Sequence, residues 1–363
     1  MLERLPRYRT GDAQLDQLLV QLLDAAGPAA HRDQLFEILA TAVRLAGDDV
    51  DRLDLKITNA ALKELRKAFL VFAPYRHVPK ATMFGSARTS SDDPLYGQAR
   101  ALAAQLAGAG WMVVTGAGPG IMAAGLEGAG RDMSFGINIR LPFEQGANEF
   151  IAGDPKLVEM KYFFTRKVML LKESDGFVIL PGGFGTLDEA LELLTLMQTG
   201  KADPAPIVLL EVPGGTYWRA WERFVQDEVL SRGLVSPEDQ SLYLVTDDVR
   251  EAAAEILGFY ANYHSRRFVG DQLVLRLRTA PTAAEVAALG EEFADIVLGG
   301  AIAAAGPHPA EVADADHLDL PRVALRFDRM SHGRLRQLID RLNRLPSAGR
   351  GRRPLARRRD GPW

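Results

Sequence analysis

The sequence of 363 residues contains no cysteine, which excludes disulfide bonds, thiolate metal sites and a cysteine nucleophile. It also lacks a long apolar run, because the longest, residues 296–306, is far shorter than the ~20 residues of a membrane span. Neither charge dominates, since 43 Lys and Arg face 47 Asp and Glu. The start of the chain shows no basic-then-apolar signal segment. We therefore expect a soluble cytoplasmic protein with neither a membrane nor a nucleic-acid partner.

Four zones of the chain differ in pattern. Leucines at helical spacing predict an N-terminal helical segment over residues 1–78. Short apolar strands alternate with helices over residues 79–262, which is typical of a parallel sheet covered by helices on both faces. Residues 263–345 predict a small α+β domain that begins with one long strand over 268–277. Six arginines against one aspartate predict a flexible Arg-rich tail over residues 346–363.

The predicted fold class follows from this order of zones. It is α/β: a Rossmann-like, doubly wound parallel sheet with an N-terminal helical layer and a small C-terminal α+β appendage. Ligands of such sheets bind beyond the carboxyl ends of the strands, so the chemistry is expected there.

Three glycine-rich turns follow apolar strands of the predicted sheet. They are Gly85-Ser86 after the first strand, residues 116–120 (with Gly118 at the centre) after the second, and residues 181–186 after a later one. Each presents backbone N–H groups at the start of a helix, where partial positive charge favours an anion. One such turn is explained by tight chain reversal alone. Three in one sheet indicate a phosphate-bearing ligand that lies across several strand ends.

Two common nucleotide motifs do not fit these turns. A dinucleotide fingerprint requires G-x-G-x-x-G after the first strand, where this chain has Gly85-Ser86-Ala87-Arg88. A phosphate loop of the Walker type requires Gly-Lys-Ser/Thr, which follows none of the turns. The pattern favours a mononucleotide.

The third turn and the segment before it hold the strongest candidates for chemistry. Thr186 and Glu189 fit a capping box at the start of a helix over residues 187–199. Alternatively, the glycines and Thr186 hold a phosphate while Glu189 faces the sugar, and the residues alone leave both interpretations open. Upstream, the adjacent Arg166 and Lys167 are typical of a solvated helix face. They would matter if their helix reached the same crevice, where arginine can bind a phosphate or a ribose hydroxyl.

The combination of these motifs resembles one known family. The sequence PGGFGTLDE at residues 181–189, with Arg166-Lys167 some 20 residues upstream, looks like the signature of the lonely guy family of nucleoside 5′-monophosphate phosphoribohydrolases. The resemblance extends to Gly85-Ser86-Ala87-Arg88 and to LMQTG at 196–200, and it covers roughly residues 79–262. Long flanking zones place the chain nearer the extended bacterial members. Compact members have His where this chain has Phe164.

The resemblance implies hydrolysis of the N-glycosidic bond of a purine nucleoside 5′-monophosphate, of the cytokinin or AMP type, to free base and ribose 5-phosphate. It implies that Arg166 and Glu189 are catalytic and that no cofactor or metal is needed. It also implies a homodimer or higher homo-oligomer. The substrate-binding residues expected from the resemblance and the glycine turns are Glu144, Lys167, Gly182, Gly183, Gly185, Thr186, Gly85, Ser86 and Gly118.

Other functions compete with this interpretation. A non-catalytic nucleotide or molybdenum-cofactor carrier on the same fold would need only the phosphate loop. A pyridoxal-phosphate decarboxylase would need a Schiff-base lysine, and nothing in the sequence marks one. Asp314, Asp316 and His317 are the nearest approach to a metal-binding spacing, and their pattern is more typical of a polar loop. The arginine tail suggests nucleic acid on composition alone.

Overall fold

The computed structural model describes residues 6–28, 30–140 and 146–349. Glu144 and most of the predicted tail, from residue 350 onward, lie outside these described residues. The chain divides into two compact units, residues 1–63 and residues 64–363. Nowhere in the described ranges does a helix combine the length and the apolar character that a bilayer span requires.

The first unit is helical. Its helices are α1 (Ala13–Ala26), α2 (Arg32–Gly47) and the first part of α3 (Arg52–Phe72). Asp12 caps α1, because its side chain accepts hydrogen bonds from the N–H groups of Gln14 and Leu15. A small apolar core is buried between α1 and α2, formed by Leu19, Leu23, Phe36 and Ala40.

The second unit is built around a parallel sheet of seven strands in the described residues. The strands lie in the order β4-β3-β2-β1-β5-β6-β7. Their bounds are β1 Lys80–Phe84, β2 Met112–Thr115, β3 Ser134–Ile139, β4 Leu157–Met160, β5 Gly176–Ile179, β6 Ile207–Leu210 and β7 Leu244–Thr246. The strand order reverses between β1 and β5, which makes the carboxyl ends of these two strands the switch point of the sheet.

Helices connect the strands and cover both faces of the sheet. Their bounds are α4 Pro94–Gly108, α5 Ile121–Ala129, α6 Phe163–Lys172, α7 Phe184–Gln198, α8 Tyr217–Phe224 and α9 Val249–Gly258. Successive strand residues point to opposite faces. Met83, Val113 and Val178 accordingly belong to one buried cluster, while Val114 and Phe177 belong to another. The predicted Rossmann-like doubly wound sheet is confirmed.

A second, smaller sheet follows in the same unit. Four antiparallel strands of the described residues form it in the order β10-β11-β9-β8, with three helices beside them. The bounds are β8 Tyr263–Val269, β9 Gln272–Leu277, β10 Ala303–Ala305, β11 Arg322–Leu325, α10 Ala283–Glu292, α11 Pro309–Ala313 and α12 His332–Asn343. The predicted C-terminal α+β appendage is therefore present.

The prediction of one long strand over residues 268–277 is wrong. Two antiparallel strands, β8 and β9, occupy this region and pair with each other. The chain reverses at Gly270, whose φ of +60° lies in the left-handed region that glycine adopts without strain. Apolar residues flank the turn on both sides, while Gly270, Asp271 and Gln272 at the reversal are exposed.

Candidate active site

The strand order brings the three glycine turns side by side at one edge of the sheet. The Ser86 N–H donates to the carbonyl oxygen of Pro181 at 3.2 Å, and the Ile121 N–H donates to the carbonyl oxygen of Ser86 at 3.0 Å. The turn after β1 is thus tied to the turns on both of its sides. Gly120 makes this approach feasible, because a Cβ there would stand 2.3 Å from the Ser86 carbonyl oxygen. Gly85, Ser86 and the third turn therefore share one crevice.

The turn after β2 is held by a residue that the sequence did not single out. Asn148 donates through its side-chain amide to the carbonyl oxygen of Gly118 at 2.8 Å. Its backbone N–H donates to the carbonyl oxygen of Ala117, which has a φ of 59°. The strained Ala117 conformation is held from outside the turn, so Gly118 has a fixed position at the edge of the crevice. No local motif around Asn148 indicates this contact.

Arg166 reaches from α6 to the turn after β2. Its Nε donates to the carbonyl oxygen of Ile137 at 2.9 Å, and the end of the guanidinium lies close to Gly116. A Cβ at Gly116 would stand only 1.9 Å from Nη2 of Arg166, so a side chain there would displace the guanidinium. The solvated-surface alternative for Arg166 is therefore wrong, because the side chain is directed into the sheet edge.

The start of α6 is held by Glu64 of α3. Glu64 accepts from the Lys161 N–H at 2.9 Å and from the Thr165 hydroxyl at 2.7 Å. Its carboxylate thus stabilises the positive end of α6, where the N-cap residue Tyr162 offers no side-chain acceptor. The position of Arg166, one turn further on, depends on this anchor.

Lys167 links α6 to α7. Its Nζ lies 2.7 Å from Oδ2 of Asp188, 2.7 Å from Oε2 of Glu192 and 3.9 Å from Oε2 of Glu189. Burial alone would lower the pKa of Lys167, but the hydrogen bonds to Asp188 and Glu192 outweigh it and raise the pKa. Lys167 is therefore a fixed cation beside the candidate catalytic carboxylate.

Glu189 is a buried carboxylate, with 8% of its side chain exposed. Its Oε2 has no hydrogen-bond partner among the residues that the structure describes. Burial raises the pKa of Glu189 to about 7, although the nearby charges of Lys167 and Arg166 act in the opposite direction. Arg166, Lys167 and Glu189 thus share one electrostatic environment, and a carboxylate with a raised pKa and a free oxygen is suited to acid–base chemistry near neutrality.

The third turn ends in the first residues of α7, and the capping-box prediction is wrong. The helix begins at Phe184 with Gly183 as N-cap, so Thr186 already lies in the first turn. The Thr186 N–H donates to the Gly183 carbonyl oxygen at 3.0 Å, and its hydroxyl packs against Gly182, where a Cβ would come within 2.2 Å. Glu189 therefore does not cap α7.

The glycines of the third turn leave open space where side chains would stand. A Cβ on Gly183 or Gly185 would meet nothing within 4 Å. The first amides of a helix have no intrahelical acceptor, so this turn offers N–H groups and a helix dipole to an anion. The structure thus brings together Gly85, Ser86, Gly118, Arg166, Lys167, Glu189 and residues 182–186, while Glu144 lies outside the described residues.

Asp316, which belongs to the segment whose spacing came nearest to a metal-binding pattern, takes part in ion pairs at the C-terminal sheet. Asp316 accepts from Arg267 at 2.8 Å and also pairs with Arg276. Arg276 in turn contacts Glu311 at 2.7 Å. These side chains form a buried ion-pair network, and the described residues contain no group of three or more side chains arranged to bind a metal ion.

Comparisons with known proteins identify the family. A family model described as "Possible lysine decarboxylase" matches residues 119–256. A cytokinin riboside 5′-monophosphate phosphoribohydrolase of Mycobacterium tuberculosis is 32% identical over 155 residues, which cover 41% of this chain and 78% of that protein. The chain belongs to the lonely guy family. The resemblance that the PGGFGTLDE signature indicated is thereby confirmed.

Other members of the lonely guy family match over shorter stretches. A cytokinin riboside 5′-monophosphate phosphoribohydrolase of Arabidopsis thaliana is 37% identical over 101 residues, or 28% of this chain and 45% of that protein. The chain thus spans about half the length of this relative. Among solved structures, a molybdenum cofactor carrier protein from Chlamydomonas reinhardtii aligns with 49% of this chain and 94% of its own, at 23% identity and a TM-score of 0.34.

Proposed function

We propose that the chain hydrolyses the N-glycosidic bond of a purine nucleoside 5′-monophosphate, releasing free base and ribose 5-phosphate. The observation that carries this proposal is Glu189: a buried carboxylate with a pKa of about 7 and an unbonded Oε2, beside Arg166 and next to an open glycine turn. The names of the phosphoribohydrolase relatives support the same reaction.

The phosphate of the substrate is proposed to bind the third turn. The amides of Gly183 and Gly185 and the hydroxyl of Thr186 are its donors, with Gly182 allowing Thr186 to pack close. Gly85, Ser86 and Gly118 line the adjoining strand ends, and Glu144 is proposed as a further substrate contact. Binding at the phosphate supplies energy remote from the reacting carbon, which can be used to orient the sugar.

The reacting carbon is proposed to lie between Glu189 and Arg166. As the bond from C1′ to the base nitrogen breaks, its electron pair leaves with the base and positive charge builds on the ribose. The Glu189 carboxylate stabilises that charge and orients a water molecule, whose oxygen bonds to C1′. One proton of the water ends on the departing base. Arg166 binds ribose hydroxyl or phosphate oxygens, and Lys167 holds the Glu189 segment of α7 in place.

The proposal is tested by incubating the protein with a panel of nucleoside monophosphates, nucleosides and triphosphates. Free base and ribose 5-phosphate should appear in equal amounts from a purine monophosphate, with little release from the nucleoside. Tight binding of AMP without any base release on prolonged incubation would instead support the non-catalytic carrier.

We further propose that the chain assembles at least as a homodimer, with the site close to the subunit contact. Large apolar side chains at the N-terminal ends of α6 and α7 are exposed, and Phe184 is 94% exposed beside the phosphate turn. Phe163 and Phe164 are more than half exposed at the start of α6. Light scattering after size exclusion tests this, and replacing Phe163 and Phe164 by Ser should then reduce the measured mass.

A further inference from the structure

One hydrogen bond joins the proposed phosphate turn to the next βα unit of the sheet. The hydroxyl of Tyr217 donates to the carbonyl oxygen of Gly182 at 2.7 Å. Gly182 follows β5, whereas Tyr217 is the first residue of α8, which follows β6. The contact is therefore long-range, and neither the family signature nor the glycine pattern includes Tyr217.

This bond fixes the direction of the peptide between Gly182 and Gly183. In a trans peptide the C=O and the following N–H point in opposite directions. Because Tyr217 holds the Gly182 carbonyl toward α8, the Gly183 N–H is directed away from α8. A Cβ on Gly183 would meet nothing within 4 Å, so that residue borders open space.

Tyr217 is itself held in place by a buried carboxylate. Oε2 of Glu211 accepts from the backbone N–H groups of Tyr217 at 2.8 Å and of Trp218 at 3.2 Å. Gly215 makes room for this arrangement, since a Cβ there would stand 2.0 Å from Cγ of Glu211. The rings of Tyr217 and buried Trp218 also meet edge to face, with centroids 4.8 Å apart.

We propose that Tyr217 is a positioning residue for phosphate recognition. A chain of contacts runs from Glu211 through the start of α8 and the Tyr217 hydroxyl to the Gly182 carbonyl, and it presets the Gly183 N–H for the anionic end of the substrate. A glycine-rich turn is otherwise free to rotate this peptide, and a preset donor binds its acceptor without that ordering cost. This inference rests on the proposed function, because that proposal assigns the third turn as the phosphate site.

The test is calorimetric titration of Tyr217→Phe with two probes, ribose 5-phosphate and adenosine. Removing the hydroxyl should raise the Kd of ribose 5-phosphate roughly 3–10-fold, the factor that one lost hydrogen bond produces. The Kd of adenosine, which lacks the phosphate, should change less than about twofold on the same grounds. In kinetic assays, the KM for AMP should rise more than kcat falls.

Tyr260→Phe provides a matched control. The Tyr260 hydroxyl also donates to a backbone carbonyl oxygen, that of Asp175, at 2.9 Å, but Asp175 precedes β5 whereas Gly182 follows it. The control removes the same kind of bond at the opposite end of the strand and should leave the Kd of ribose 5-phosphate unchanged. If Tyr217→Phe does not fold, Glu211→Gln is the second variant. It weakens the hydrogen bonds that hold the start of α8 and should raise the Kd of ribose 5-phosphate by a smaller factor.

The outcomes separate this inference from the proposed function. An unchanged Kd of ribose 5-phosphate in folded Tyr217→Phe, or an equal rise for both probes, overturns the positioning role while AMP hydrolysis by the wild type still supports the phosphoribohydrolase. A selective rise without any base release by the wild type supports Tyr217 and overturns the hydrolytic function. A wild-type protein that neither binds ribose 5-phosphate nor releases base from AMP overturns both.

Discussion

Replacing Glu189 by Gln is expected to stabilise the folded protein above neutral pH. The pKa of Glu189 is about 7 in the folded state, against 4.5 for an ordinary glutamate, because burial disfavours the charged form. Between these two values the folded state holds more protons than the unfolded chain, so the free energy of unfolding falls as pH rises through the window. The stabilisation that protonated Glu189 gives the folded state is fully present below pH ~4.5 and is lost above pH ~7.

The magnitude follows from the size of this pKa shift. One pKa unit corresponds to about 1.4 kcal/mol, so the full loss is about 3 kcal/mol. From pH 5.5 to pH 8.5 the titration accounts for about 2 kcal/mol of it. Gln has nearly the shape of the neutral glutamate and does not titrate. The free energy of unfolding of Glu189→Gln, relative to wild type, should therefore rise by about 2 kcal/mol between these two pH values.

Urea unfolding at pH 5.5 and 8.5, followed by circular dichroism, measures this difference. Glu192→Gln is the matched control, because Glu192 lies on the same helix as Glu189 and 2.7 Å from Nζ of Lys167 but has 44% of its side chain exposed. Its effect should stay below about 1 kcal/mol at both pH values. A loss of stability in Glu189→Gln that is equal at both pH values would refute the reasoning, since it would show that ion pairing, not desolvation, dominates at this carboxylate.

Three further outcomes are expected. The value of kcat/KM for base release should fall on acidification with an apparent pKa near 7 as Glu189 is protonated; a flat profile from pH 5 to 8 would remove Glu189 from the rate-limiting chemistry. Gly116→Ala should lower kcat/KM at least ~10-fold, because its Cβ would displace the guanidinium of Arg166; wild-type kinetics would contradict that placement. Gly200→Ala should lower the free energy of unfolding by about 2–4 kcal/mol in urea titrations, because its Cβ would stand 2.2 Å from the ring of His332 and its φ is +67°. Gly214→Ala, with a φ of +78° and no atom within 4 Å of its Cβ, separates the backbone cost from the clash.

The sheet and the meeting of the glycine turns were predictable from the sequence, for a topological reason. Parallel strands place all their carboxyl ends at one edge, so turns that follow adjacent strands must share a crevice. The direction of Arg166 was not predictable, since a helical position next to another cation is equally typical of a solvated surface. Its insertion depends on the absent side chain of Gly116, which is distant in sequence.

The start of α7 shows how local patterns can compete. Thr186 and Glu189 have the spacing of a capping box, and that pattern predicts a helix start at Thr186. The observed start at Phe184 is set by Gly183, which serves as N-cap and accepts from the N–H groups of Thr186 and Leu187. The space for the Thr186 side chain comes from Gly182.

The contacts that fix the site from outside left no signal in the sequence. Glu64 anchors α6 from α3, Asn148 holds the turn at Gly118, and Tyr217 holds Gly182 from the next βα unit. Each is an ordinary polar residue in an ordinary segment. Their partners are backbone atoms or a hydroxyl made adjacent only by tertiary structure, so spacing along the chain could not reveal them.

The most direct measurement of the central claim compares wild type with Glu189→Gln on AMP, with base release and nucleotide binding followed in parallel. Wild type should release adenine, and the variant should release it roughly 10²–10⁴-fold more slowly while binding AMP with similar affinity. Unchanged adenine release by the variant would show that the carboxylate beside Arg166 takes no part in cleaving the glycosidic bond.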